Sequence, residues 1–324
     1  MGLLNRVWRG APTARHTLTP ADLESWEEYG FLVLRQFFSG DEIEAVNEYI
    51  DRLWDQRRDV EEPIVLDYLL ETDAAGRSLL RDSPETVRDW PYKLNDLYLA
   101  SPSVLALSAH TALNGILAAL LGGEPMVINT LNFERGSQQA DHFDTFYMPA
   151  PVRNKMVATW VALEDIEPST GPLRYYPGSN RLETFHFSHG QLWAVPEEAA
   201  NAQRFVQEQV ERAHLTMTTF TPRKGDVFIW HSQLLHGGSP IEDLKRTRKS
   251  LVTHYFRAED FDLSQRSSMD PNDVQGQFRA LGPSWRDAFI NPVVCRTSDG
   301  QAFLDKWEIA SAARVAKSCI ERLD

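Results

Sequence analysis

The chain has 324 residues, of which 42% are apolar and 24% charged, and its net charge at pH 7 is −13. This globular composition argues against disorder, and the acidic surface argues against nucleic acid or anionic membranes as partners. The chain has only two cysteines, no secretory signal and no apolar stretch long enough to span a bilayer. These features predict a soluble cytoplasmic protein with a small-molecule or protein partner.

The first third of the chain is predicted to be mainly helical. Residues 19–30 begin with Thr-Pro and end with Gly, a pattern typical of a capped helix. The apolar run 31–34 predicts a short strand, and residues 39–53 combine a Ser-x-x-Glu capping box with apolar residues at helical spacing. A further helix is predicted for residues 101–123, whereas residues 61–90 are polar and irregular and predict loops and short helices.

Beyond this helical part, short runs rich in Val, Ile, Thr and aromatic residues are separated by turns that contain Gly and Pro. Such runs predict the strands of an antiparallel sandwich or barrel. The predicted strands are residues 126–133, 156–163, 215–221, 226–231 and 250–256, and helices are predicted for residues 193–214 and 303–323.

No repeat, low-complexity tract or linker interrupts the chain, so residues 1–324 are predicted to form one domain. Its fold class is mainly β with flanking helices. A mainly helical part, 1–124, is expected to support a β-rich core, 125–256, that carries the motifs described below. Residues 257–324 form a C-terminal extension for which the sequence indicates no role.

His142 and Asp144 are the first residues whose pattern suggests chemistry. In an extended segment, side chains two residues apart leave the same face of the chain, so the imidazole and the carboxylate stand side by side, as a metal ion requires. The triplet is too short to be specific, and, taken by itself, it is better explained by an ordinary surface loop.

A second pattern strengthens the metal hypothesis. Lys224-Gly225-Asp226 opens a β-rich run that ends at His236, and Arg248 follows twelve residues later. A histidine from this distant run would complete a site of two histidines and one carboxylate, which leaves coordination positions open and suits non-haem Fe(II) working with O2. Arg248 offers a planar guanidinium to a carboxylate, although other cations surround it and it could simply lie on the surface.

Four blocks occur in the order seen in phytanoyl-CoA dioxygenase-like proteins, and the sequence resembles that family. Members of the family are Fe(II)- and 2-oxoglutarate-dependent oxygenases on a double-stranded β-helix, or jelly-roll, fold. The resemblance therefore implies this fold and an enzyme that uses Fe(II), 2-oxoglutarate and O2. The blocks are His142-Phe143-Asp144, residues 171–180, residues 225–237 and residues 248–256.

The resemblance also implies roles for individual residues. The iron ligands are His142, Asp144 and His236, and Arg248 holds the distal carboxylate of 2-oxoglutarate. Further expected contacts of 2-oxoglutarate are Ser250, Thr145, Asn129 and Lys93. Aromatic and basic residues close to the ligands in sequence are expected to wall the substrate pocket, and the candidates are Phe143, Tyr147, Trp160 and Arg174.

Two features depart from the family pattern. Asn180 stands where the family usually has histidine, and the spacing from His236 to Arg248 is one residue longer than expected, so Arg246 is the alternative partner of 2-oxoglutarate. His231 is the alternative ligand to His236, but the odd separation of the two points them to opposite faces of a regular strand.

The remaining histidines are expected in the core or on the surface. His110 lies in an apolar helix and is expected to be a satisfied core residue. His254 lies in the last predicted strand and could also line the pocket.

The expected reaction is the oxidation, foremost the hydroxylation, of an unactivated C–H bond, with release of succinate and CO2. Asp144 argues against the halogenases of the family, which lack this carboxylate. The acidic net charge favours a small metabolite over an acyl-CoA, although Arg153, Lys155, Arg174 and Arg181 could form a basic mouth. Two alternatives stay open: a non-catalytic binding protein on the same barrel, and a cupin-like metal isomerase or hydrolase.

Overall fold

The structure is a computed structural model that describes residues 18–260, except 63, 70–76, 149, 151 and 189–193. Both cysteines, the predicted helix 303–323 and all but the first four residues of the C-terminal extension lie outside the described residues.

The described residues form two β-sheets in which every strand pairing is antiparallel. The strands are β1 (Phe31–Leu34), β2 (Val65–Tyr68), β3 (Arg77–Leu79), β4 (Tyr92–Asn95), β5 (Pro125–Phe133), β6 (Met156–Ala162), β7 (Leu173–Tyr175), β8 (Thr218–Phe220), β9 (Val227–His231), β10 (His236–Gly238) and β11 (Ser250–Arg257). The large sheet has the order β1-β9-β6-β11-β5-β4-β2-β3, and the small sheet has the order β10-β7-β8.

Within the described part of the chain five α-helices accompany the sheets, and single 3-10 turns fill many of the connections. The helices are α1 (Pro20–Tyr29), α2 (Gly40–Asp55), α3 (Pro102–Ser108), α4 (Thr111–Leu121) and α5 (Ala199–Arg212).

The first two helices begin where the sequence predicts, because their caps are local. The Thr19 and Ser39 side chains each accept a hydrogen bond from the backbone three residues ahead, at Asp22 and Glu42, and complete capping boxes. Helix α1 ends at Gly30, whose φ of 78° is the left-handed conformation that favours glycine.

The prediction of one helix over residues 101–123 is wrong, because two helices, α3 and α4, occupy this stretch. His110 separates them, and its Nδ1 accepts a hydrogen bond from the backbone N–H of Ala112, so this histidine caps α4. Within the described residues no single helix has the length and apolar character needed to cross a membrane; α3 and α4, bent by 42°, meet that test only when counted together.

The prediction of loops and short helices for residues 61–90 is also wrong in part. Strands β2 and β3 lie in this stretch and, with β4, extend the large sheet beyond β5. These strands are only three or four residues long and carry polar side chains such as Asp67 and Lys93. Pairing with neighbouring strands, rather than local sequence, holds them in place.

Strand β11 lies between β5 and β6, and its two faces meet different surroundings. Leu251 and Tyr255 pack with the helices in the main core, whereas Val252 packs in a second cluster with residues of both sheets, among them Trp160 and Tyr175. This alternation follows from the two-residue period of a strand. The chemically interesting residues lie on the second face, between the sheets.

Candidate metal centre

The three predicted metal ligands lie together. Asp144 Oδ1 lies 3.6 Å from His142 Nε2 and 3.6 Å from His236 Nε2, and the three ligand atoms fit within 4.8 Å of one another. A short antiparallel bridge brings the two histidines together: each backbone N–H donates to the carbonyl of the other, at 2.9 and 3.1 Å. Backbone pairing thus closes a gap of more than ninety residues in the chain.

Each histidine of the triad is held by its own backbone. His142 Nδ1 lies 2.8 Å from the Ala140 carbonyl, and His236 Nδ1 lies 2.9 Å from the Leu234 carbonyl. Because a carbonyl only accepts, each Nδ1 carries a proton and each Nε2 is the ring nitrogen that faces Asp144, which is how histidine ligands are commonly oriented. Burial lowers the pKa of His236 to about 4, so this imidazole is neutral at pH 7.

Asp144 is the charged member of the triad. Its burial would raise the pKa of the carboxyl, but the neighbouring His236, His142 and His254 outweigh burial and hold that pKa well below its usual range. This direction of the shift favours the ionised carboxylate. This set of two nitrogen donors and one anionic oxygen is the one that a divalent iron site with open positions requires.

Arg248 lies between two aromatic rings in the same interior. Its guanidinium carbon is 5.7 Å from the Phe133 ring centre and 5.5 Å from the Trp160 ring centre, and the residue is only 3% exposed. Burial lowers the pKa of Arg248 to about 10, and the charge of Glu164 offsets this only in part.

Two buried polar atoms in this interior have no hydrogen-bond partner among the described residues: Arg248 Nε and Ser250 Oγ. A buried cation without a partner is costly, so these atoms fit an anionic ligand that enters from outside the chain. Arg246, the alternative, is half exposed and pairs with Glu167, so it does not face this interior.

The other predicted contacts of 2-oxoglutarate are engaged elsewhere. The Thr145 hydroxyl donates to the Ser232 carbonyl at 3.1 Å and ties the ligand loop to the end of β9. Asn129 Oδ1 accepts from His254 Nδ1 at 2.7 Å, and Lys93 Nζ lies 3.4 Å from Asp67 Oδ2. Lys93 would contact 2-oxoglutarate only by giving up or sharing Asp67, whereas the amide nitrogen of Asn129 has, among the described residues, only the weak acceptor Met148 Sδ, at 3.7 Å.

Of the four predicted pocket residues, Tyr147 lies next to the triad. The Tyr147 ring is 5.2 Å from the His142 ring and is 43% exposed, which places it at the mouth. Trp160 lies beside Arg248, with its ring centre 5.5 Å from the guanidinium carbon.

The other two predicted pocket residues, Phe143 and Arg174, lie in different surroundings. Phe143 points away from its neighbours His142 and Asp144 and is buried in a separate cluster with Phe146. Arg174 alternates with the core residues Leu173 and Tyr175, so it lies on the outer face of the small sheet, where its Nε donates to Asp141 at 2.5 Å.

Asn180, which stands where the family usually has histidine, contacts residues outside the metal site. Its amide donates to the Glu27 carbonyl near the end of α1, and its side chain lies against Gly30. A Cβ at Gly30 would come within 2.6 Å of Asn180, so the two residues fit each other.

Sequence reasoning missed Trp230 and undervalued His254. Trp230 Nε1 donates to Asp144 Oδ2 at 2.7 Å, and His254 Nε2 lies 3.7 Å from the same oxygen. Strand alternation turns His231 away from the triad, and it therefore turns the preceding residue, Trp230, toward the triad. This signal in the sequence could have indicated Trp230. His231 does lie elsewhere, with its ring 5.9 Å from that of Trp26.

Comparison with known proteins places this geometry in a family. The family model of phytanoyl-CoA dioxygenase (PhyH) matches residues 26–249. Ectoine dioxygenase from Halomonas elongata is 24% identical over 240 residues, which cover 68% of this chain and 65% of the relative. The chain thus spans slightly less than two thirds of the length of this curated relative.

Solved structures share the fold. The carbocyclase SnoK from nogalamycin biosynthesis superposes with a TM-score of 0.57 at 14% identity, covering 80% of this chain and 94% of that one. EctD from S. alaskensis with 2-oxoglutarate and 5-hydroxyectoine has a TM-score of 0.53 at 19% identity, covering 79% and 82%. These likenesses confirm the predicted jelly-roll fold with its flanking helices. Because the family model spans well over half of the sequence, the chain belongs to the phytanoyl-CoA dioxygenase (PhyH) family of Fe(II)- and 2-oxoglutarate-dependent oxygenases.

Proposed function

We propose that this protein hydroxylates an unactivated C–H bond of a small metabolite, with Fe(II) bound by His142, Asp144 and His236. One observation carries the proposal: a buried triad of metal-ligand type shares its interior with the buried guanidinium of Arg248, whose Nε has no hydrogen-bond partner among the described residues. When bound, the iron together with 2-oxoglutarate and O2 supplies the oxidising chemistry, with succinate and CO2 as co-products.

The chain itself contributes binding, orientation and exclusion of water. Arg248 pairs with the distal carboxylate of 2-oxoglutarate, and the Ser250 hydroxyl donates to the same group. Phe133 and Trp160 flank the guanidinium and keep this ion pair away from water, which strengthens it. The backbone carbonyls behind His142 and His236 hold both Nε2 atoms toward the metal.

The choice between a small metabolite and an acyl-CoA depends on whether basic residues are free to bind the phosphates of the acyl-CoA. Arg153 donates to Thr184 Oγ1 at 2.9 Å, Lys155 donates to the Leu121 carbonyl at 2.8 Å, and Arg174 pairs with Asp141. Each of these three side chains already has a hydrogen-bond partner, Arg174 an anionic one, and the net charge of −13 opposes a polyanion. Both points support a small metabolite over an acyl-CoA, and the low cysteine content supports a cytoplasmic enzyme.

The test is anaerobic addition of Fe(II) and 2-oxoglutarate, followed by visible absorption. The wild-type protein is expected to develop a charge-transfer band, and His236→Ala and Asp144→Ala to lose it. His231→Ala is the matched control. This histidine lies five residues before His236, but its ring packs against Trp26, away from the triad. A metabolite screen for substrate-stimulated succinate release, with product mass, then identifies the substrate.

The outcomes separate the alternatives. A binding protein would give neither the band nor succinate, and an isomerase would bind metal but ignore 2-oxoglutarate. Loss of the band in His231→Ala with its retention in His236→Ala would contradict the ligand assignment.

A further inference from the structure

The two oxygens of Asp144 have different surroundings. Oδ1 faces the Nε2 atoms of His142 and His236, each at 3.6 Å, where a shared metal ion would lie. Oδ2 accepts a hydrogen bond from Trp230 Nε1 at 2.7 Å. His254 Nε2 is 3.7 Å from Oδ2, which is too long for a hydrogen bond, so the indole is the donor that holds this oxygen.

The fold brings Trp230 to this position. Trp230 pairs with Ala158 on the neighbouring strand, and this small residue leaves room for the indole between the sheets. The ring packs against His236 at 5.2 Å and against His254 at 6.2 Å. The indole N–H is a donor only and is buried, and its acceptor is the metal-ligand carboxylate.

We infer that Trp230 is a positioning residue that keeps Asp144 a one-oxygen ligand. Its N–H occupies Oδ2, so that only Oδ1 is offered to the metal. The inference rests on the proposed function, because it takes the triad as the metal site. A carboxylate that bound through both oxygens would occupy a further coordination position, and three are needed for a two-point co-substrate and O2. Trp230 thus preserves the number of open positions.

A purely structural role for this hydrogen bond is the rival explanation, and the chain offers a matched control. Trp54 is as deeply buried as Trp230, and its Nε1 donates to the Tyr92 hydroxyl at 2.8 Å, outside the triad. Replacing either tryptophan by phenylalanine removes one buried indole hydrogen bond and a similar volume. The two variants therefore share the structural cost, and only one of them changes the carboxylate.

The experiment measures Co(II) binding to the apo-protein by visible titration without O2, together with the d–d spectrum of the bound ion. Trp230→Phe is expected to raise the Kd for Co(II) by about 10–100-fold, as for other residues that orient a metal ligand, and to shift the d–d bands. Trp54→Phe is expected to leave both unchanged. A Trp230→Phe protein with wild-type Kd and spectrum would overturn the inference.

A measurement on the wild-type chain covers the case in which Trp230→Phe does not fold. Co(II) loading should give one strongly shifted, exchangeable indole proton signal, because the Trp230 N–H is hydrogen-bonded to a ligand of the paramagnetic ion. Absence of that signal in Co(II)-loaded protein overturns the positioning role. Failure of the wild type to bind Co(II) at all would instead overturn the proposed metal site itself.

Discussion

Arg88 and Arg248 occupy similar positions against aromatic rings but opposite electrostatic surroundings. The guanidinium of Arg88 lies 5.8 Å from the Trp54 ring, and that of Arg248 lies 5.5 Å from the Trp160 ring. Arg88 donates twice to the buried carboxylate of Glu134, at 2.8 Å each, and this pairing raises its pKa. Among the described residues Arg248 has no hydrogen-bonded carboxylate, and burial lowers its pKa more than the charge of Glu164 raises it.

The difference indicates what each arginine is for. Arg88 is partly exposed, and it belongs to the fold because its partner, the buried carboxylate of Glu134, is part of the same chain. An unpaired buried cation destabilises the apo-protein and is retained when a ligand supplies the missing charge. The triad resembles Arg88, because its outer polar atoms have hydrogen-bond partners within the chain. These atoms are the Nδ1 atoms of the two histidines and Asp144 Oδ2.

The largest expected effect is on the binding of 2-oxoglutarate. Arg248→Met removes the proposed partner of its carboxylate and should weaken binding to the Co(II)-loaded protein by about 4 kcal/mol, roughly a thousandfold in Kd. The apo-protein should lose no stability, because an uncompensated buried charge is removed. Calorimetric titration and denaturant unfolding measure the two quantities. A variant that binds 2-oxoglutarate normally would break the comparison.

Arg88→Met should act in the opposite sense. It leaves Glu134 buried without its main counter-charge, so the free energy of unfolding should fall by about 3 kcal/mol. The Tyr92 hydroxyl, which donates to Glu134 at 2.5 Å, remains and limits the loss. Urea unfolding beside Arg248→Met is the measurement, and equal stability of the two variants would contradict the distinction.

His231 shows how a buried base without a counter-charge behaves when it can lose its proton. Burial lowers its pKa to about 4, and its Nδ1 accepts from the Gln233 backbone N–H, so the ring is neutral. As pH falls from 6.5 toward 4, the unfolded chain takes up a proton before the folded one does, and stability is lost across this window.

His231→Asn keeps an acceptor but has no titratable group. The variant should therefore lose about 2 kcal/mol less stability between pH 6.5 and 4 than the wild type does. Urea unfolding at a series of pH values measures this difference. Overlapping profiles of the two proteins would show that His231 is not held neutral.

The smallest effect is expected for Arg246→Ala. Its exposed ion pair with Glu167 contributes less than about 1 kcal/mol to stability, and the affinity for 2-oxoglutarate should not change. A marked loss of 2-oxoglutarate binding would return Arg246 to consideration in place of Arg248.

Much of the fold follows from local signals in the sequence. Capping residues at 19 and 39, and the glycine at 30, set the ends of two helices because their hydrogen bonds form within a few residues. The longer strands are recognisable because their apolar runs pack on both faces, as in β6 and β11. Strands β2, β3 and β4 cannot be recognised from the sequence, because short polar strands form only where neighbouring strands pair with them.

The sequence by itself determined the candidate chemistry of this protein: a His-x-Asp pair, a distant histidine and an arginine in the order of the family. It also determined which side of β9 His231 takes, because strand alternation is local. Only the tertiary structure decided which polar atoms found partners. Three features depend on contacts between residues far apart in the chain: the Trp230 bond to Asp144, the Arg174 bond to Asp141 and the unpartnered Nε of Arg248. Hydrogen bonds between such distant residues produce no periodic pattern in the sequence.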